Sequence, residues 1–498
     1  MPRQLDVRPG VYLDSVTLMQ VSSDAAALDG VNAAMVAMAT ELNLGLLAGM
    51  GFTAPDTAAP TDLLVAVDAV DDDALARTLA AVESALTTRT AGPQRPELGF
   101  GAAPAPHTVR AALDQSGGTL ALISTPGRYA FLDAMDALDA GRSVVVFSDN
   151  VPVEQEIRLK DEAARRDLLV MGPDCGTAVI GGVGLGFANV VRPGPVGIVA
   201  ASGTGAQQLM SLLDGAGVGI SHCVGVGGRD MSAAVGGRTT LDALDLLDAD
   251  AATETIVVIG KPPADEVADA VRDKAAELGK PVLIALQGPG QPDLTATAES
   301  VVSSLGREWS EPQWWPAPTM RTGHYPHIRG LYSGGTLCDE AMLIATETLG
   351  PIRSNIPLRP EWDVGPSLRA DGHAMIDFGD DALTAGRPHP MIDNSLRVER
   401  IRAEAADPTC GVLLLDVVLG HGAHPDPAAE LAPAITAAHT HAAGDGRDLA
   451  VVVALIGTAG DPQGLERQAA VLRDAGASVH LSHSAAVRKA VELVADPT

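Results

Sequence analysis

The chain reads as an α/β protein built of several doubly wound parallel-sheet domains behind a small N-terminal α/β unit, and three observations predict this. Apolar runs alternate with amphipathic helical stretches along most of the 498 residues, which is the pattern of βαβ units. Aromatic residues make up 3% of a chain that is 46% apolar, so aliphatic side chains and alanine must fill the cores, as they do in parallel sheets covered by helices. The length exceeds one ordinary core; at roughly 100–200 residues per domain it suggests three or four units.

Taken in order, residues 10–87 give a strand at GVYLDS, a helix through LMQVSSDAAALDG, strands at VNAAMVAMAT and DLLVAVDAV, and a helix at DDDALARTLAAVESAL. From Thr88 to Thr108 a Pro/Gly/Ala-rich stretch without periodicity reads as a linker. Next come strands TLALIST, SVVVFSD and LLVMGPD, separated by helices. The alternation restarts with strands VGIVAAS, ISHCVGVGG, TIVVIGK and PVLIALQ, again with helices between. The segment REWSEPQWWPAPTMRTGHYPH holds three of the four tryptophans and reads as an ordered crossing, because tryptophan is costly to leave wet. A final α/β region from about Ile328 carries strands near HAMIDFG, CGVLLLDVVLG, DLAVVVALIG and SVHLSHS.

A formal charge of −29 opposes binding to a phosphate backbone or an anionic bilayer, so neither nucleic acid nor membrane is expected as a partner. An anionic ligand therefore needs a local arrangement of donors. Cys175, Cys223, Cys338 and Cys410 lack CxxC spacing, which predicts no metal site and no disulfide framework. The first fifteen residues lack the apolar core of a signal peptide, and no apolar run nears the roughly 20 residues of a membrane span. The cytoplasm is the expected location.

The candidate chemistry lies in the turns after the strands. Ser202-Gly203-Thr204-Gly205 leaves the strand VGIVAA and opens a helix, where backbone N–H groups and the helix dipole favour an anion. Gly227 and Gly228, with Arg229 beside them, follow the next strand and should lie at the same carboxyl edge, where ligands of open α/β sheets bind. Gly420-His421-Gly422-Ala423 reads as another anion-binding helix start. Arg387 and His389 sit on a Pro-stiffened loop that fixes side chains well, with His389 as acid/base or phosphate donor. Cys175 is expected to be a buried structural thiol, and the acids of DFGDD at 377–381 could bind Mg²⁺, though loop carboxylates of an acidic protein are usually just solvated. HExxH, Walker A and GxSxG patterns are absent from the sequence.

Together GPDCGT, FANVVRPGPVGIVAASGTG, GVGGRD and DFGDD with GRPHPMID resemble the FdrA family, relatives of succinyl-CoA synthetase. Residues 119–290 are similar to the synthetase α subunit and 373–498 to the carboxyl-terminal domain of its β subunit. The resemblance implies four domains: a small α/β unit at 1–95, an incomplete CoA-binding-like Rossmann-type domain at 105–193, a flavodoxin-like ligase-CoA domain at 194–310, and a second such domain at 326–498. It also marks departures. The glycine-rich turn that opens the synthetase CoA-binding domain is missing, so CoA is not expected to bind. The phosphohistidine loop reads GPGQPDL, without histidine, and no room exists between 300 and 373 for an ATP-grasp domain.

In the synthetase, two glycine-rich helix starts point at the phosphohistidine; the resemblance assigns their counterparts here to Ser202–Gly205 and Gly420–Ala423. It implies a component of an oxamate carbamoyltransferase of ureide (allantoin) breakdown, in which oxalurate and phosphate give oxamate and carbamoyl phosphate. Separate partner subunits and a homo-oligomer are expected. The turns would hold phosphate, Arg229 or Arg387 would neutralise charge, and His389 would pass a proton to the departing nitrogen. The alternatives are an acyl-CoA synthetase and a non-catalytic scaffold subunit.

Overall fold

The computed structural model describes residues 2–9, 11, 15–26, 28–55, 57–59, 61–90, 106–318, 325–384 and 387–495. They form two units, residues 1–105 with the short segment Thr384–Pro388, and the remainder.

The N-terminal unit is a three-stranded antiparallel sheet with Leu63–Ala69 between Arg3–Arg8 and Val31–Met38. The central strand shows why both faces are covered. Side chains alternate along a strand, so Leu63 and Val65 meet the helices Ser15–Ala26 and Asp72–Thr90 through Leu18, Val21, Val82 and Leu86. Leu64 and Ala66 face the other way, toward Leu47 of the helix Glu41–Gly49 and Phe52. The strand Arg3–Arg8 was not foreseen, because RQLDVR is mostly polar; it is held as an edge by Arg3, whose Nε donates to buried Asp68 at 2.5 Å. The strand expected at 10–15 falls mostly outside the described residues, and Ser15 already begins a helix. Most of the expected linker, residues 91–105, also lies outside them.

The larger unit holds three sheets. The first is parallel, in the order Leu120–Ile123, Ser143–Val146, Val170–Met171. The second runs Val282–Leu286, Thr255–Gly260, Pro193–Ala201, Ile220–Gly225, Thr177–Ile180, Val183–Gly186. Its first four strands are parallel and the last two form an antiparallel hairpin at one edge. That hairpin lies before residue 194, so the third unit of the sequence reading begins earlier in space than its apolar strands suggested. The third sheet runs Trp314–Trp315, Ser478–His480, Ala450–Ile456, Cys410–Val418, His327–Tyr332, Ala374–Asp377, all parallel except the tryptophan pair. The tryptophan-rich crossing is thus an edge strand, with Trp314 stacked on His480 at 5.5 Å. No helix among the described residues is long and apolar enough to cross a membrane.

The chain order within these sheets locates the site. From Pro193–Ala201 the next strand, Ile220–Gly225, lies on one side and Thr255–Gly260 on the other. From His327–Tyr332 the next strand, Ala374–Asp377, likewise lies on one side and Cys410–Val418 on the other. Each sheet therefore has a switch point at one strand, and ligands of doubly wound sheets bind beyond the carboxyl end of that strand. Pro193–Ala201 leads into the helix Gly203–Gly215, and His327–Tyr332 leads into the helix Gly335–Leu349.

Candidate anion-binding site

The amino ends of these two helices meet. Ser202 caps the first: its Oγ accepts the Gly205 N–H at 3.0 Å and donates to Thr336 Oγ1 of the second at 2.7 Å. A Cβ placed on Gly334 would lie 2.4 Å from Thr204 Cγ2, and one on Gly205 would lie 2.9 Å from Thr336 Cγ2. Only glycine lets the two backbones approach so closely. Among the described residues, no protein acceptor takes the N–H groups of Gly203, Thr204, Gly335 and Thr336. Both helix dipoles therefore present their positive ends, with free donors, to one place.

The second turn is fixed from behind. Asp416, within the strand Cys410–Val418 and fully buried, accepts the Ser333 N–H at 2.9 and 3.0 Å and the Ser333 Oγ hydroxyl at 2.9 Å. Its charge is met by buried Arg397, whose guanidinium lies 3.0 Å from Asp416 Oδ1 and also donates to the Leu331 carbonyl. Gln287, just past the strand Val282–Leu286, donates from Nε2 to the Thr336 carbonyl at 3.1 Å. It occupies the start of the loop that lacks a histidine.

Lys261, just past Thr255–Gly260, supplies the charge. Its Nζ is 3.2 Å from Asp339 Oδ2 and would lie 2.9 Å from a Cβ on Gly335. Burial works against its ammonium, yet Asp339 and Asp377 outweigh this and raise its pKa. Asp377 Oδ2 is 3.0 Å from the same Gly335 position, and Oδ1 accepts the Gly379 N–H at 2.8 Å. Asn355 clasps the Asp377 backbone through two hydrogen bonds, at 2.9 and 3.0 Å. Burial pushes the Asp377 carboxyl up to about 7, against the pull of Lys261 and the Gly379 N–H.

His389 belongs to this cluster. Its ring lies 5.4 Å from that of Phe187, and Nε2 would be 2.9 Å from a Cβ on Gly379. Nδ1 accepts the Met391 N–H at 3.2 Å, so in the neutral ring the proton sits on Nε2. Burial, with Arg397 nearby, pulls its pKa down to about 4. At neutral pH His389 is a hydrogen-bond donor and holds no imidazolium proton to give, unlike the proton-passing role expected of it.

Other expected residues lie elsewhere. The Gly420–Ala423 turn is not a helix start: the helix begins at Pro427, capped by Asp426. Gly420 N–H donates to Gln463 Oε1 at 3.0 Å and His421 N–H to the Ala188 carbonyl at 2.8 Å, so these donors are already used. The helix start facing Ser202–Gly205 is Ser333–Thr336 instead. Arg229 is committed to Glu156, at 3.0 Å, and to the Val151 carbonyl, at 2.7 Å. Gly227 and Gly228 give room to the Pro173-Asp174 backbone and carboxylate, since a Cβ on Gly227 would lie 2.2 Å from the Pro173 carbonyl. Asp174 keeps a solvent-facing surface while the atoms crowded around it, with Asp381 and Asp149 nearby, push its carboxyl up to about 7. Arg387 is exposed and falls in the segment that clusters with the N-terminal unit, so it is not among the residues the larger unit gathers here. Cys175 is buried and its thiol is pushed up to about 12 by that burial, which leaves it un-ionised.

Two doubly wound domains meet helix start to helix start, and a CoA-ligase family model matches residues 331–493 of the second. A model described as the AllF heavy metal-associated domain matches residues 1–98. YahF of Escherichia coli K12 is 37% identical over 96% of this chain and 95% of its own, and the chain belongs with it to the FdrA-like family. The succinate–CoA ligase [ADP-forming] subunit alpha of Aquifex aeolicus is 30% identical over 36% of this chain. The chain spans 60% of that subunit's length. A solved ATP citrate lyase from Methanothrix soehngenii, in complex with citrate and coenzyme A, is 20% identical, with 42% of this chain and 43% of that one covered and a TM-score of 0.35.

The description of the amino-terminal domain implies a heavy metal, and its residues do not fit one. Residues 1–98 contain neither cysteine nor histidine, the thiolate and imidazole donors that soft and borderline metals take. Among the described residues, no group of three or more His, Cys, Asp or Glu side chains is placed to hold an ion.

Proposed function

We propose that the larger unit binds phosphate between the starts of the Gly203–Gly215 and Gly335–Leu349 helices and uses it to accept a carbamoyl group, giving carbamoyl phosphate. The observation that carries this reading is the pairing of two unsatisfied helix amino ends with the Lys261 ammonium, in a protein whose net charge of −29 otherwise repels anions. The loop after Gln287 has no histidine, so no phosphohistidine can form there and the anion is free phosphate. In this reading Lys261 neutralises the phosphate as its oxygen attacks the carbamoyl carbon. Backbone N–H groups of the two helix starts and His389 Nε2 stabilise the tetrahedral oxyanion. Family membership supports a ureide-derived substrate, oxalurate, with oxamate as the second product and separate partner subunits completing the enzyme.

The test is to mix the purified chain, alone and with its partner subunits, with oxalurate and phosphate and to assay carbamoyl phosphate. Phosphate-dependent formation of carbamoyl phosphate and oxamate in equal amounts is expected; none under any combination overturns the reading. Titration calorimetry with CoA is expected to show no heat, and tight CoA binding would favour an acyl-CoA synthetase instead.

A further inference from the structure

We infer that Asp377 carries the proton in this reaction, a role that rests on the phosphate-transfer reading above. Transfer of a carbamoyl group from oxalurate to HPO4²⁻ forms one C–O bond and breaks one C–N bond. The hydroxyl proton of HPO4²⁻ is absent from the carbamoyl phosphate dianion, and the departing amide nitrogen needs one proton to leave as oxamate. The step balances if one group takes the first proton and delivers it as the second.

Geometry singles out Asp377. Its Oδ2 stands beside Gly335, on the side of the helix start where Lys261 lies, while Oδ1 is anchored by the Gly379 N–H and the backbone by Asn355. One oxygen is thus fixed and the other lies against Gly335, in the first turn of the helix where we place the phosphate. The charged and titratable groups around it are Lys261 after Thr255–Gly260, Cys338 and Asp339 on Gly335–Leu349, Asp380 on its own loop, and Asp416 on Cys410–Val418, one strand beyond its neighbour. His389 approaches the same glycine with its donor Nε2. Of these, Asp416 is spent on Ser333 and Arg397, Asp339 on Lys261, and the basic nitrogen of His389 on the Met391 N–H. With its carboxyl raised to about 7, Asp377 both accepts and releases a proton near neutral pH.

The experiment uses the active complex and runs the reaction from carbamoyl phosphate and oxamate, where no free phosphate titrates at the outset. The wild-type rate is expected to rise as pH passes about 7, because the carboxylate must take the proton of the attacking oxamate nitrogen. Asp377→Asn keeps an oxygen for the Gly379 N–H, so it is expected to retain the stabilisation against heat that phosphate confers while kcat falls about 10²–10⁴-fold and the pH limb disappears. The limb is expected to persist in Asp174→Asn, whose parent carboxyl titrates in the same range. A wild-type rate that is flat across pH 7 overturns the inference even if Asp377→Asn fails to fold. So does an Asp377→Asn enzyme within twofold of wild type with its limb intact, and in that case carbamoyl transfer itself still stands. If the wild-type complex makes no carbamoyl phosphate from oxalurate and phosphate, the phosphate-transfer reading falls and this role falls with it.

Discussion

Adding one methyl group to Gly334 interrogates the meeting of the two helix starts directly. The backbone there is extended, at φ −153°, so alanine is not strained by its own conformation and any effect comes from what the methyl meets. It would lie 2.4 Å from Thr204 Cγ2, 2.5 Å from Oγ1 and 2.9 Å from Cβ, where ordinary contact begins at 3.4 Å. Turning the Thr204 rotamer moves the first two atoms but leaves Cβ in place, so the backbones themselves must part by roughly 0.5–1 Å. Overpacking of this kind costs about 1–3 kcal/mol, or a few degrees in Tm at roughly 2–4 °C per kcal/mol. The informative quantity is the response to phosphate. At about 100 times its Kd, phosphate should stabilise the wild type by about 2.7 kcal/mol, and Gly334→Ala should lose most of that increment. Thr204→Gly removes all three clashing atoms, so the pair Gly334→Ala/Thr204→Gly should show a coupling energy of about 1–2 kcal/mol in a double-mutant cycle. A Gly334→Ala protein that melts like wild type and keeps the full phosphate increment refutes the claim that these helix ends abut and share an anion.

Lys261→Met removes the cation beside Gly335 and should weaken phosphate binding about 10–100-fold, as expected of a charged hydrogen bond worth about 1.5–3 kcal/mol; unchanged affinity by calorimetry contradicts its role. Asp416→Ala strands the buried Arg397 guanidinium and frees Ser333, so urea unfolding should show a loss of about 3–5 kcal/mol, and a loss below about 1 kcal/mol would contradict the buried pair. His389 titrates near 4 when folded and 6.5 when unfolded, so folding favours its neutral form. Its contribution is complete above pH 6.5 and is lost as pH falls toward 4. The wild type should therefore lose stability relative to His389→Asn across that window, by a total on the order of 3 kcal/mol, and parallel stability curves for the two proteins would disprove a depressed pKa.

The fold was legible because parallel strands announce themselves as aliphatic runs, and the four parallel strands of the larger unit's second sheet coincide with such runs, whereas its antiparallel edge hairpin, with the glycine-rich strand Val183–Gly186, does not. The edge strand Arg3–Arg8 was not, because its exposed and half-buried positions carry polar side chains and leave no apolar period to read. At the site, Ser202–Gly205 was found from its glycines, but its facing turn was assigned to Gly420. The sequence did hold the signal against that assignment: Asp426-Pro427 is an N-cap followed by proline at the first helical position, which places the helix start well beyond Gly420. It also held the signal for the right partner, since Ala-Ser-Gly-Thr after VGIVA and Tyr-Ser-Gly-Gly-Thr after HIRGL are two versions of one strand-to-helix turn. Lys261 and Gln287 escaped notice because each is an ordinary residue at the end of an apolar run, and Asp416 because it stands inside one, CGVLLLDVVLG. Only the order of strands, which puts both switch points together, gives them a common neighbour.

Both helix starts are carried on one polypeptide. Their encounter is therefore intramolecular, set by the length of chain between residues 215 and 327, and the local concentration of one half around the other does not fall when the protein is diluted. The affinity for phosphate should accordingly be the same in a dilute solution as in a concentrated one.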